Sequence, residues 1–296
     1  MDDSKKSFFD LLDPKSALVV GLVGGLLSLG TLGFIVLGAL LVQGKVNFGA
    51  SSRVIASATP DQTQQATQPT QNTLAPIVPK SDKPKVDLYV MSYCPYGLQM
   101  EKAFVPAWNL LKNKAEISVK FVNYAMHGKK EVDENTRQYC IQSEQPTKFQ
   151  AYLNCFFGAG QNDGKEAGFQ KCLASTGVNQ TSLNSCVART DKQFGITTKF
   201  NDQSSWLSGQ YPQYPIHDSE NQQYGVQGSP TLVINGVQAS AGRTPEAVKQ
   251  AICDAFNNAP SECQQNLGNS QFQPGFGTVL SAAGGTAGAN APGCGT

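Results

Sequence analysis

The chain divides into five stretches by the distribution of its apolar and polar residues. A polar N-terminus, residues 1–16, precedes an apolar run at 17–42 that contains no charged side chain. Residues 43–84 are rich in Ser, Thr, Gln, Ala and Pro, and 266–296 are dominated by Gly and other small residues. Apolar and aromatic residues recur densely only at 85–265. We therefore predict one globular domain, at 85–265.

The apolar run at 17–42 predicts a transmembrane helix. Its roughly 26 residues extend about 39 Å as a helix, which is enough to cross a bilayer with some tilt. A cleavable signal peptide is the alternative, but its apolar core is usually only about 7 to 15 residues long. A small excess of basic residues before the run places 1–16 in the cytoplasm. We expect a single-pass anchor with the globular domain on the extracytoplasmic side.

The segments that flank the globular domain contain few groups that a core can bury. Residues 43–84 have the composition of a flexible stalk. Residues 266–296 are predicted to be a disordered tail, because burial of small residues does not compensate for the entropy lost on ordering.

The first half of the domain predicts the order strand, helix, strand. Apolar residues alternate along Val86–Met91 and again along 117–122. Between these segments, Pro95 begins a stretch with apolar residues at helical spacing. The following segment, about 132–191, is polar and helical in character, and it contains four cysteines. It is predicted to be a helical insertion.

The second half predicts a hairpin and a closing helix. Thr231–Ile234 is rich in β-branched residues, and the Asn235-Gly236 pair that follows is a common two-residue hairpin turn. Thr244 is a suitable N-cap, with a proline at the first helical position.

Cys94 is the candidate catalytic residue. It lies between a buried strand and the start of a helix, where free backbone N–H groups and the helix dipole stabilise a thiolate. Because the thiolate is the nucleophile in disulfide exchange, this position favours a reactive thiol. The alternative is a Cys94 that is inert or held in a structural bridge.

The order of these elements resembles the thioredoxin fold with a DsbA-type helical insertion, over residues 85–265. In that family the proline that corresponds to Pro230 is cis and faces the active-site cysteine, and the adjacent backbone pairs with the substrate chain. The resemblance implies an α/β fold with a disulfide-rich insertion. We predict that Ser229 and Pro230, together with Pro95 and Tyr96, bind the substrate.

A second, more distant resemblance concerns the start of the insertion. His127-Gly128, Glu131, Asn135 and the cysteines that follow are similar to the signature stretch of the gamma-interferon-inducible lysosomal thiol reductase group.

One position departs from the thioredoxin pattern. The family's active site is C-x-x-C, whereas this chain has C-P-Y-G, so that Gly97 replaces the cysteine that would resolve a mixed disulfide. Cys94 alone could isomerise disulfides, exchange with a small thiol, or form stable mixed disulfides. Alternatively, the domain retains the fold and only binds extended peptides.

Six further cysteines are predicted to form structural disulfides, as expected in an oxidising compartment. Two bridges are expected among the four cysteines of the insertion, whose spacing does not suit a compact zinc site and whose pairing stays open. A third bridge is expected across a short turn after the last helix. The six residues are Cys140, Cys155, Cys172, Cys186, Cys253 and Cys263.

Cys294, near the end of the predicted tail, is the candidate substitute for the missing resolving thiol. A flexible tail of about thirty residues has a reach of roughly 30 Å, which is sufficient to return to Cys94. An intermolecular bridge, or no role at all, is the alternative for Cys294.

Charge and composition exclude some classes of function. The net charge is +1, and no Lys/Arg cluster marks a nucleic-acid surface. With two histidines, we expect neither a metal centre nor a cofactor. The sequence therefore predicts a membrane-anchored thiol-disulfide oxidoreductase or isomerase that acts on protein or peptide substrates through Cys94, with a redox partner in the membrane as a candidate. The alternatives are a non-catalytic binding module and a structural spacer.

Overall fold

The structure, a computed structural model, describes residues 77–158, 166–281 and 293–295. The predicted cytoplasmic N-terminus, the predicted anchor at 17–42 and most of the predicted stalk lie outside these residues. Within the described ranges, no helix combines the length and the apolar character needed to cross a membrane.

A four-stranded mixed sheet forms the centre of the domain. Strand β1, Lys85–Val90, pairs in parallel with β2, Glu116–Phe121, on one side. On its other side it pairs antiparallel with β3, Thr231–Ile234, which forms a hairpin with β4, Val237–Ala239. The sheet order is β2-β1-β3-β4. The predicted strand, helix, strand and hairpin are therefore confirmed.

Helices cover the sheet and form the insertion. Helix α1, Pro95–Leu111, connects β1 to β2, and α8, Pro245–Cys253, follows the hairpin with Thr244 as its N-cap. The described α-helices between β2 and β3 are α2 Lys129–Glu144, α3 Pro146–Phe157, α4 Glu166–Ser175, α5 Gln180–Phe194, α6 Ile196–Asn201 and α7 Asp218–Tyr224. This is the thioredoxin-like topology with a helical insertion.

Strand β1 is buried on both faces, and its two faces contribute to different apolar clusters. Val86, Leu88 and Val90 belong to the large core that includes α1 and α8. Tyr89 belongs to a smaller cluster on the opposite face, which also contains Cys94. Successive strand residues point to opposite faces, so Tyr89 lies on the face away from the main core. Cys94, which follows the strand, packs in the same smaller cluster.

Three disulfides stabilise the helical parts. They are Cys140–Cys186 between α2 and α5, Cys155–Cys172 between α3 and α4, and Cys253–Cys263 after α8. The structure thus gives one pairing for the four cysteines of the insertion, which their spacing had left open.

The prediction of a disordered tail is wrong for residues 266–281, which pack along α1. The buried ammonium group of Lys102 donates hydrogen bonds to the carbonyls of Gln273, Gly275 and Gly277, at 2.8, 2.7 and 2.9 Å. The charged donor thus supplies hydrogen bonds to carbonyl groups of a segment that has few apolar side chains to bury.

An aromatic contact fixes the same segment. The ring of Phe276 packs edge-on against Tyr93 and Phe156, with centroids 5.7 and 5.4 Å apart. Tyr93 immediately precedes Cys94, so the tail is joined to the region of the candidate site.

The predicted boundary between stalk and domain also needs correction. Residues 77–84 belong to the folded unit, because the Ser81 amide donates to the carbonyl of Ala255 at 2.9 Å. Asn235 donates through Nδ2 to the carbonyl of Pro79 at 2.7 Å. These long-range hydrogen bonds do not involve apolar side chains, so the hydropathy pattern of the sequence does not predict them.

The buried carboxyl group of Glu101 provides a test of the packing around α1. It is fully buried, and neither of its oxygens has a hydrogen-bond partner. Burial, with the nearby charge of Glu134, raises its pKa to about 8. The folded state therefore retains this proton, while the unfolded chain releases it above about pH 4.5, so the group contributes stability at low pH that is lost as pH rises from 4.5 to 8.

We predict that Glu101→Gln raises the free energy of unfolding, increasingly so between pH 5 and pH 8. The difference from the wild type should grow by up to about 1.4 kcal/mol per pH unit. Urea unfolding of the oxidised protein at pH 5, 6.5 and 8 measures it, with the exposed Glu116→Gln as the control for the substitution itself. An equal difference at all three pH values would contradict the assignment.

Candidate active site

Cys94 is the N-cap residue of α1. Its backbone is extended, and Pro95 occupies the first helical position, so the helix begins immediately after the cysteine. The Gly97 amide donates to Cys94 Sγ at 3.4 Å, and the side chain is completely buried. The predicted placement at a helix start is confirmed. An amide donor and the helix dipole both stabilise negative charge on this sulfur.

The loop before β3 lies directly against Cys94. The Ser229–Pro230 peptide bond is cis, as the resemblance implies. Ser229 Oγ accepts a hydrogen bond from the Met91 amide at 2.9 Å, and the Ser229 carbonyl oxygen lies 3.4 Å from Cys94 Sγ. The serine therefore links the end of the first strand, the candidate nucleophile and the proline loop.

Cys294 forms a disulfide with Cys94, with their Cα atoms 6.0 Å apart. Its amide donates to the Ser229 carbonyl at 2.8 Å, and the Ser229 amide donates to the Cys294 carbonyl at the same distance. The two residues thus form an antiparallel bridge. This is the pairing by which an extended peptide adds to a free strand edge.

Gly97 occupies a position where a side chain does not fit. A Cβ atom there would lie 2.6 Å from Ser229 Oγ and 3.2 Å from the Met91 carbonyl oxygen. The space next to Cys94 that a second cysteine of a C-x-x-C motif needs is therefore filled by the serine. A cysteine at position 97 would therefore require the Ser229 side chain to shift.

The insertion positions the loop that leads to Cys94. The buried carboxylate of Glu131 accepts hydrogen bonds from the amides of Tyr93 and Met126, at 3.3 and 2.8 Å. Its Oε2 also lies 2.6 Å from His127 Nδ1. One turn further along α2, Asn135 Oδ1 accepts from the Ser92 amide at 3.1 Å. Buried backbone donors thereby obtain acceptors from the helix.

The other predicted substrate-binding residues lie at the same end of α1. The guanidinium of Arg243 lies 5.3 Å from the centre of the Tyr96 ring, and Arg243 Nη1 donates to Gln99 Oε1 at 3.0 Å. Burial lowers the pKa of Arg243. The Pro95 carbonyl accepts from the Gly275 amide at 2.8 Å, so the tail contacts the first turn of this helix.

The structure therefore brings together Cys94, Pro95, Tyr96, Ser229, Pro230 and Cys294, whereas the six cysteines predicted to be structural lie in other bridges. The contacts of Lys102 with the tail, and the position of Tyr124, whose hydroxyl donates to the Gln227 carbonyl at 2.7 Å, were not predicted from the sequence. For Glu131 and Asn135, the resemblance at the start of the insertion was the available signal. The sequence carried no comparable signal for Lys102 or Tyr124.

The histidines take part in structural contacts. His217 Nδ1 accepts from the Phe121 amide at 3.1 Å, and burial lowers the pKa of His217 to about 4. Within the residues that the structure describes, no three His, Cys, Asp or Glu side chains are grouped so that they could hold a metal ion.

A family comparison matches the first part of the domain. Residues 85–190 match the model of the gamma interferon inducible lysosomal thiol reductase (GILT) family. The match covers just over a third of the chain and includes Cys94, Glu131 and Asn135. The predicted distant resemblance to this family is confirmed over that range. A search of curated proteins found no match.

Solved structures similar to this chain include bacterial thiol-disulfide proteins. The reduced disulfide bond oxidoreductase DsbG from Mycobacterium tuberculosis is 16% identical over 62% of this chain and 88% of its own, with a TM-score of 0.42. DsbA from the same organism is 16% identical over 62% and 93%, with a TM-score of 0.41. MdbA from Actinomyces oris, a thiol-disulfide oxidoreductase, is 15% identical over 61% and 83%, with a TM-score of 0.40.

We predict that Gly97→Ala destabilises the protein by about 1–3 kcal/mol because the added methyl group overpacks against Ser229. The same change inside an ordinary helix stabilises by up to about 1 kcal/mol. A double-mutant cycle with Ser229→Ala, followed by urea unfolding, measures the coupling between the two positions. We expect the double variant to lose less stability than the sum of the single changes. Strict additivity, or a more stable Gly97→Ala variant, would refute the steric explanation.

Proposed function

We propose that this protein is a membrane-anchored, extracytoplasmic thiol-disulfide oxidoreductase in which Cys94 and Cys294 form the redox pair. The observation that carries the proposal is the bridge between these two cysteines at the Ser229–Pro230 loop. Cys294 thus takes the part of the resolving cysteine that Gly97 does not supply. This proposal replaces a mechanism with Cys94 as the only reacting thiol.

The first step uses Cys94 as the nucleophile. Its thiolate attacks one sulfur of a substrate disulfide, forms a mixed disulfide and releases the other substrate sulfur as a thiolate. The Gly97 amide and the dipole of α1 lower the free energy needed to form the Cys94 thiolate. The Ser229 amide and carbonyl are suited to bind the substrate backbone next to the reacting cysteine.

The second step uses Cys294. Its thiolate attacks Cys94 Sγ in the mixed disulfide, which forms the Cys94–Cys294 bridge and releases the second substrate thiolate. The substrate gains two electrons, and the two protein thiols lose two. Because Cys294 and the substrate pair with the same Ser229 edge, formation of the bridge displaces the substrate from it.

Regeneration begins at the more accessible sulfur. Cys94 is completely buried in the bridged state, whereas Cys294 is only partly buried. A dithiol reductant is therefore expected to attack Cys294, with Cys94 leaving as the stabilised thiolate, and its second thiol then frees Cys294. The direction of net electron flow is set by the reduction potentials of the cysteine pair and its partners. The direction proposed here is reduction, with disulfides of proteins or peptides as substrates.

The location is part of the proposal and rests on the sequence. The apolar run at 17–42 has the length of a membrane anchor. The other three disulfides favour an oxidising compartment, in which such bridges persist. A dithiol protein in or at the membrane is the expected source of electrons.

We predict that Cys294→Ala slows the turnover of a disulfide substrate such as insulin by about tenfold or more and traps mixed disulfides on Cys94. The variant still attacks the substrate, but it lacks the thiol that releases it. Turnover with a dithiol reductant and mass spectrometry of acid-quenched protein measure the two effects. Ser281→Ala is the matched control, because it changes the tail and retains both cysteines.

Cys94→Ala should abolish both turnover and trapping. If Cys94→Ala and Cys294→Ala turn over substrate as fast as the wild type, the redox pair is refuted. If the wild type binds peptides but reduces none, the domain is a peptide-binding module without redox activity.

A further inference from the structure

In the proposed reaction, the Gly293-Cys294-Gly295 segment and the substrate use the same position at the site. It pairs with Ser229 through two backbone hydrogen bonds, and its cysteine is bonded to the candidate nucleophile. A peptide trapped on Cys94 would carry the same bond and use the same edge. The contacts of this segment therefore indicate which residues the site accepts around a reacting cysteine. This inference rests on the proposed function.

The residue after Cys294 has room for glycine only. A Cβ atom on Gly295 would lie 1.8 Å from Tyr124 Oη, 3.0 Å from Tyr124 Cζ and 3.2 Å from the Gln227 carbonyl oxygen. Its φ of +83° lies in the region that side chains with L chirality rarely adopt. Steric space and backbone conformation both exclude a larger residue at this position.

Tyr124 is held where it restricts this position. Its side chain is buried, and its hydroxyl donates to the Gln227 carbonyl at 2.7 Å. Its ring packs against Tyr211 with centroids 5.9 Å apart. Moving the ring away would break a buried hydrogen bond and this aromatic contact. The clash with a side chain at 295 is therefore not relieved by a free rotation of the tyrosine.

We infer that Tyr124 and the Ser229 edge form a subsite for a cysteinyl-glycine unit, so that the substrates are polypeptide segments in which glycine follows the reacting cysteine. Ser229 fixes the register of the cysteine through its amide and carbonyl. Tyr124 then excludes a side chain on the next residue. Tyr124 is thus a specificity-determining residue for the exchange reaction at Cys94.

The test uses the full-length Cys294→Ala variant in reduced form, in which the tail no longer competes as a disulfide partner. The probes are the pentapeptides Ala-Gly-Cys-Gly-Ala and Ala-Gly-Cys-Ala-Ala, each activated as a mixed disulfide with 5-thio-2-nitrobenzoate. The rate at which Cys94 captures each peptide is followed by mass spectrometry. Each rate is divided by that of the same peptide with N-acetylcysteine, which removes differences in intrinsic reactivity.

We expect the glycine peptide to react roughly tenfold faster than the alanine peptide, the size expected for one overpacked methyl group. Tyr124→Phe, which removes the hydroxyl but retains the ring, should reduce this ratio, and Tyr124→Ala should reduce it further. Tyr139→Phe is the matched control, because it removes a tyrosine hydroxyl elsewhere and should preserve the ratio.

Equal rates for the two peptides, or a ratio that Tyr124→Phe and Tyr124→Ala both leave unchanged, would overturn the subsite while the proposed function stands. Failure of Cys94 to capture either peptide would instead overturn the proposed function. If Tyr124→Ala does not fold, Tyr124→Phe alone decides the role of the hydroxyl.

Discussion

The pairing of Cys294 with Ser229 is the interaction on which the candidate site depends. Two backbone hydrogen bonds of 2.8 Å align a residue of the C-terminal segment with the loop that faces Cys94. Backbone pairing fixes direction and register, while side chains decide what else fits. The disulfide with Cys94 and the glycine requirement at 295 both follow from this one register.

Several distant parts of the chain hold the two partners of this interaction. Helix α2 fixes the loop before Cys94 through Glu131 and Asn135, which accept hydrogen bonds from backbone amides. Lys102 on α1 binds three carbonyls of the segment 266–281. Eleven residues separate the end of that segment from Gly293. Anchoring the tail on α1 therefore shortens the chain that must be closed for Cys294 to meet Cys94, which raises its effective concentration there.

The fold was predictable from local patterns, and much of the site was not. The alternation in β1, the proline at the start of α1 and the Asn235-Gly236 turn each reflect physics within a few residues. The packing of 266–281 involves Lys102, which is more than 160 residues away in the chain, and the ring of Phe276 against Tyr93. Composition cannot reveal either contact. The sequence shows that position 97 lacks the second active-site cysteine. Only the three-dimensional structure shows that Ser229 occupies the space of that side chain.

The most direct test of this account is a redox titration of the full chain that resolves each cysteine. The protein is equilibrated with graded mixtures of reduced and oxidised dithiothreitol, quenched in acid, alkylated, and mapped by peptide mass spectrometry. We predict that Cys94 and Cys294 become thiols together, in one two-electron transition with a tenfold change over about 30 mV, before the other bridges open. Independent titration of Cys94 and Cys294, or no bridge between them under oxidising conditions, would contradict it.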